Sequence, residues 1–213
     1  MTMTNDITDE IKLLSKTDKV ICIKKNVPVR SFHGKVWRTM KTNKKYLARD
    51  FEHRCCYCDD LDEYNGKYES YAVEHFAPKS RFKDLEFDYD NLLYCCRMCN
   101  SSKSDKWVGV TAKENIVNNK GFIDPCMPEY YANLARKTNG EIIFLTELGK
   151  YMYYELKLYA KQHQTNYQIN RLSEIKRKID TLLKHSKLSL NERKKLKRIR
   201  NEICDKILGY LGL

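Results

Sequence analysis

The chain has 213 residues, with 40 Lys and Arg against 28 Asp and Glu, a formal net charge of +12. That length supports one sizeable core with extensions sharing it rather than two full domains, and the positive excess draws polyanions whatever the fold, so nucleic acid is the expected partner. No run of about eighteen apolar residues is present to cross a bilayer, and the opening MTMTNDITDEIKLL is acidic and polar where a secretory leader is basic and then apolar, so no membrane partner and a cytoplasmic location are expected.

Lys19 to Ile23 alternates polar and apolar residues, which reads as a short strand, and Pro28 ends whatever precedes it. From Gly34 to His53, Val36, Met40, Leu47 and Phe51 recur at helical spacing among Lys and Arg, so a basic amphipathic helix is predicted to lead into the first cysteine pair. Tyr71 to Val73 reads as a strand that delivers Glu74 and His75 to its end, where Pro78 forces a loop. Leu92 to Tyr94 reads as the returning strand, and Asn100 stands near the start of a helix that carries Lys103. After Lys106, Gly121, Pro125, Pro128 and Asn139-Gly140 punctuate a connective stretch whose best strand is Glu141 to Leu145.

Beyond Thr146, a predicted N-cap, the chain reads as helical to its end. Leu148, Met152, Leu156 and Tyr159 mark one helix, Ile169 to Leu183 a second, and Leu196 to Ile207 a third opening at Asn191-Glu192. The last two form a hairpin around Ser186 to Ser189. Lys and Arg crowd the stretch from Lys176 to Arg200, either as a solvated face or as a surface that tracks phosphates.

Nine cysteines in a reducing compartment point to metal rather than to disulfides. Cys55/Cys58 and Cys96/Cys99 are two Cys-x-x-Cys pairs, each able to bend into a knuckle that presents both sulfurs to one tetrahedral ion. Four thiolates close the coordination sphere, so the ion is expected to be a structural Zn²⁺ without chemistry of its own. Cys56 and Cys95 blur the register. With Cys22, Cys126 and Cys204 they read as small buried hydrophobes.

Between and after these pairs stand Val73-Glu74-His75-Phe76-x-Pro78-Lys79-Ser80, then Asp90-Asn91-Leu92-Leu93, then Cys96-x-x-Cys99-Asn100-x-x-Lys103. In order and spacing this cassette resembles the zinc-knuckle form of the HNH endonucleases of the ββα-metal superfamily. It covers about a quarter of the chain, and VEHFxPKS with a Cys-x-x-Cys-Asn ending is similar to the HNH subunits that accompany an ATPase in Septu and retron-type anti-phage defence. The resemblance implies an α+β protein with a ββα-metal core stapled by a four-cysteine structural zinc, an N-terminal basic helix and a C-terminal helical region. The corresponding divisions are 1–53, 54–110, 111–145 and 146–213.

The same resemblance makes His75 the general base, Asn91 the residue that positions its loop, and Glu74 with Asn100 the holders of one catalytic divalent ion. Phosphodiester hydrolysis needs a deprotonated water and charge compensation where negative charge builds, which an imidazole and a hard cation on oxygen ligands supply. Mg²⁺ or Mn²⁺ suits that set. Lys79, Arg81 and Lys103 are expected at flanking phosphates of DNA, with RNA left open. The family more often has Asp before the base and His as the last letter, where this chain has Glu74 and Asn100. A catalytically silent zinc-knuckle nucleic-acid-binding module, or a protein whose helical tail docks on a larger partner, is the alternative reading.

Overall fold

The computed structural model describes residues 3–14, 16, 19–24, 26–185 and 187–212. In chain order the regular elements are α1 (Met3–Leu13), β1 (Val20–Cys22), α2 (Met40–Asp50), α3 (Lys67–Ser70), β2 (Ala72–His75), β3 (Leu92–Cys95) and α4 (Arg97–Lys103). They continue with β4 (Ile116–Val117), β5 (Lys120–Gly121), α5 (Glu129–Asn133), β6 (Leu134–Lys137), β7 (Ile142–Phe144), α6 (Glu147–Glu155), α7 (Lys161–His185) and α8 (Leu190–Leu211). Helix and sheet are therefore mixed. Among the described residues no helix is long and apolar enough to cross a membrane.

β2 and β3 form an antiparallel pair with Glu74 opposite Leu93 and His75 opposite Leu92, and α4 follows directly and lies against β2. All four residues of β3 are buried, so this strand has no solvent face and its sequence LLYC carries no polar alternation. β1, β6 and β7 make a second sheet in the order β1-β6-β7. The main core runs from Ile23 to Leu158 and joins α2, β3, both cysteine pairs and α6.

α2 is shorter than the predicted helix. Phe32, Trp37, Tyr46 and Tyr89 stack into one aromatic cluster with centroids 4.7 to 5.8 Å apart, and packing Trp37 there holds residues 34–39 out of helix. Val36 instead bridges to Asp88 and stays 60 % exposed, and the Asn43 amide donates to the Trp37 carbonyl at 2.8 Å. Tertiary packing has overridden a helical period.

The C-terminal helices form where their periods place them. Thr146 caps α6, its hydroxyl accepting from Gly149 N at 2.9 Å, and Lys157 at φ 53° turns the chain so that Tyr159 lies outside the helix. Ser189 and Glu192 form a capping box that opens α8 at Leu190, while Ser186, part of the expected hairpin turn, lies outside the described residues. α8 packs back on α7, with Leu172, Ile175, Ile179, Leu196 and Ile203 buried together beneath α1 in a second core. Much of the basic run is used internally: Lys176 and Arg200 pair with Asp180, Arg177 with Glu63, Lys178 with Glu10 and Arg198 with Glu202.

Candidate active site and zinc cage

The cysteine cage joins two local turns. Cys96 caps α4, its sulfur 3.4 Å from Cys99 N, and the first pair turns back through Asp59 at φ 61°, with Cys55 N donating to the Asp60 carbonyl at 2.9 Å. The sulfurs of Cys55, Cys58, Cys96 and Cys99 all lie within 4.8 Å of one another and are buried. Cys58 and Cys96 sulfurs stand 3.8 Å apart, close to the edge of about 3.8 Å that a tetrahedron of Zn–S bonds of about 2.3 Å requires. These four residues fit zinc. Cys56 and Cys95 approach only Cys55 as a second, three-sulfur group. Burial pushes the Cys58 thiol well up; burial acts on Cys55 too, but the bonds from Cys56, Cys58, Cys95 and Cys96 outweigh it and hold that thiol well below its usual range. The sulfurs thus compete for negative charge, which a dication among them would stabilise.

Beside the cage opens a cleft of about 760 Å³, walled by Met40, Lys41 and Lys44 of α2, Tyr68 of α3 and Asn100 and Ser101 of α4. Val73, Glu74 and His75 of β2, the Pro78-Lys79-Ser80 loop, and Ser104 and Asp105 after α4 complete it, so four of the expected site residues, Glu74, His75, Lys79 and Asn100, share one cavity.

His75 is held at 3.0 Å from the Glu86 carbonyl through Nε2. A carbonyl only accepts, so Nε2 carries the proton and Nδ1 keeps its lone pair. Burial lowers the imidazole pKa below its ordinary value, which favours the neutral form needed to take a proton. Asn91 stands behind the cleft and holds both attachments of that ring. Its amide oxygen accepts from Ala77 N at 2.8 Å, and its nitrogen donates to the carbonyls of Ala77 at 3.0 Å and Leu85 at 3.2 Å. It thereby ties the loop after His75 to the turn that carries Glu86.

Glu74 and Lys103 form an ion pair at 2.7 Å with side chains 6 % and 0 % exposed. Burial raises the Glu74 pKa to about 7 against the opposing pull of Lys103. Lys103 also donates to the His75 carbonyl at 3.1 Å and sits 5.5 Å over the Phe122 ring. Phe122 is fixed by a tight turn: Gly121 at φ 129° leaves only 1.9 Å between an added Cβ and the Asn115 carbonyl, so no side chain fits there.

Two expected phosphate contacts therefore do not face the cleft. Lys103 is spent inside the protein on Glu74 and His75, and its charge is out of reach of a substrate. Arg81 donates to the carbonyls of Trp107 at 2.9 Å and Gly109 at 2.8 Å, strapping the segment after α4 to the loop after β2. Lys79 does reach the cleft, paired with Glu86 at 2.9 Å. Sequence reasoning missed Glu86, whose carbonyl orients His75, because a backbone acceptor leaves no mark on residue type. It also missed Lys41 and Lys44, whose cleft-facing position depends on how α2 packs against β2 and β3.

Comparison with known proteins matches part of this arrangement. Residues 55–106, spanning the cage, the hairpin and α4, match the family described as HNH endonuclease. The Septu protein PtuB of Bacillus thuringiensis is similar at 26 % identity over 129 residues, covering 57 % of this chain and 48 % of that protein, so the chain spans about half the length of the curated relative it matches. The match to the HNH endonuclease family is thus confined to residues 55–106, set within a longer chain whose flanking segments fold onto them.

Proposed function

We propose that the protein is a metal-dependent endonuclease that hydrolyses phosphodiester bonds in DNA, with the β2-β3 hairpin and α4 as its ββα-metal unit inside a core of residues 54–110. The observation that carries this reading is the His75 ring. Its Nε2 is committed to the Glu86 carbonyl, its Nδ1 is left basic, and it shares a cleft with Glu74 and Asn100.

His75 accepts the proton of the attacking water, and Asn91 keeps the ring in place through the Ala77 and Leu85 carbonyls. Glu74 and Asn100 would hold Mg²⁺ or Mn²⁺, which would supply charge compensation at the phosphate when bound. Among the described residues the Asn100 side chain makes no hydrogen bond, so its amide oxygen is free to serve as a ligand. The likeness to a Septu protein supports a role as nuclease effector in anti-phage defence beside an ATPase subunit.

A second reading, a catalytically silent nucleic-acid-binding module, is favoured by one observation: Glu74 already has a partner in Lys103, which a cation would have to share. Supercoiled plasmid incubated with the protein in Mn²⁺, Mg²⁺ or EDTA separates the two. Metal-dependent nicking that His75→Ala loses establishes the nuclease, and plasmid left intact by wild type under every condition establishes the silent module.

A further inference from the structure

We infer that Lys41 and Lys44 of α2, lining the same cavity as Lys79, form the phosphate-gripping wall of the cleft, and that the cleft holds a nucleic-acid strand by its backbone rather than by its bases. This rests on the nuclease reading and names how that site takes its substrate.

Three observations converge on it. Two basic residues expected at phosphates are withdrawn from the cleft, Lys103 by burial against Glu74 and Arg81 by the carbonyls of Trp107 and Gly109. A polyanionic strand laid over Glu74 and His75 still needs cations within reach, and the lysines that line the cavity are Lys41, Lys44 and Lys79. Lys41 is exposed and makes no ion pair or hydrogen bond among the described residues, so no internal partner has to be given up.

Lys44 is held differently. Its ammonium stands 4.3 Å over the Tyr68 ring and 3.4 Å from the Glu69 carbonyl, contacts that orient the charge without neutralising it. Tyr68 is in turn stacked towards Tyr94 at 6.3 Å, so with Lys44 over its ring it is not offered to a base. The lining contains no Arg or Gln to fork onto a base edge, Asn100 is assigned to the cation, and the remaining polar groups are the carboxylate Asp105 and the hydroxyls of Ser80, Ser101 and Ser104, which discriminate poorly among bases. What remains is a grip on phosphates, indifferent to sequence.

The test is binding of the full-length, zinc-loaded His75→Ala protein to labelled DNA duplexes of two unrelated sequences, titrated across a salt series without added Mn²⁺. Lys41→Gln/Lys44→Gln in that background should lower the slope of log K against log salt by about 1.8, from two phosphate contacts at about 0.9 each. Lys41→Gln alone should remove about half of that, and both sequences should lose affinity equally. Zinc content and unfolding midpoint confirm that each variant is folded.

An unchanged slope, or a loss that appears instead in Lys194→Gln/Lys195→Gln/Lys197→Gln, overturns the inference and leaves the nuclease reading standing. A loss confined to one sequence overturns the backbone grip. Failure of the His75→Ala parent to bind DNA, together with wild-type protein that does not cut plasmid, overturns the inference and the reading beneath it.

Discussion

The cysteine cage and the proposed catalytic cleft meet at α4, which carries Cys99 and Asn100, yet they are held by opposite means. The first knuckle is made of four adjacent residues, but its backbone is fixed by side chains from far along the chain. Lys24 donates to the Cys55 carbonyl at 3.2 Å, Tyr130 to that of Tyr57 at 2.7 Å, and the fully buried Arg136 to that of Cys58. Asp60, just past the knuckle, accepts from His163 Nδ1 at 2.8 Å and Asn166 at 3.0 Å, both on α7. The ring of His75, the proposed base, is by contrast positioned from within residues 75–91, by Glu86, Asn91 and the loop between them, although Lys103 also bonds its carbonyl. The cage is thus where the flanking segments lock onto residues 55–106, while the ring of His75 is set by its own loop.

If that division is right, damage to the cage should spread and damage to the cleft should stay put. The largest effect belongs to Cys96→Ser. Structural zinc contributes about 10–16 kcal/mol to folding in small knuckles, so this variant should lose zinc and its cooperative unfolding transition together. Elemental analysis with thermal melting checks it, and a cooperatively folding Cys96→Ser protein would show that the remote side chains hold the region without metal.

His75→Ala should do the reverse: cleavage falls by about 10² to 10⁴ while zinc content and melting stay those of wild type. The pH profile gives the sign. Only neutral imidazole accepts a proton, and burial lowers the His75 pKa from its ordinary 6.5, so the wild-type rate should rise with pH around a midpoint on the acid side of that value and then level off. A rise centred above pH 6.5 would assign the limiting proton to another group.

Lys103→Met tests the seam between the two regions. Removing one partner of a buried ion pair typically costs about 3–5 kcal/mol because the other charge is left unpaired. Urea unfolding should show that loss, and Glu74→Gln/Lys103→Met should recover most of it while remaining inactive. Equal destabilisation in the single and double variants would mean that Lys103 acts through packing on Phe122 and not through the pair.

The smallest expected effect lies behind the cage. Among the described residues His163 Nε2 and Asp60 Oδ1 are buried without a hydrogen-bond partner, and an imidazole nitrogen of His163 lies within 4.8 Å of the Cys58 sulfur. His163→Ala should therefore weaken zinc retention by about 10- to 100-fold, the usual weight of a residue that supports a metal ligand. Zinc release to a coloured chelator reads it directly, with plasmid nicking at saturating zinc as the companion measurement that should not change.

Features that depend on neighbours along the chain were legible from residue order alone. Two Cys-x-x-Cys spacings are enough to shape knuckles, an apolar period is enough to place α6, α7 and α8, and Ser189 with Glu192 is enough to open a helix. The His75 and Asn91 motif was readable for a similar reason, since both ends of its hydrogen-bonded loop lie within one short segment. The directions of long, flexible cationic side chains, by contrast, emerged only from the packed fold. Lys103 and Arg81 read as surface charges, but Glu74, Phe122, Trp107 and Gly109 turn them inward, whereas Lys41 and Lys44, far upstream of His75, become the cleft wall. A lysine carries no local geometric constraint, so its direction is set by whichever burial, carbonyl or carboxylate the fold brings within reach.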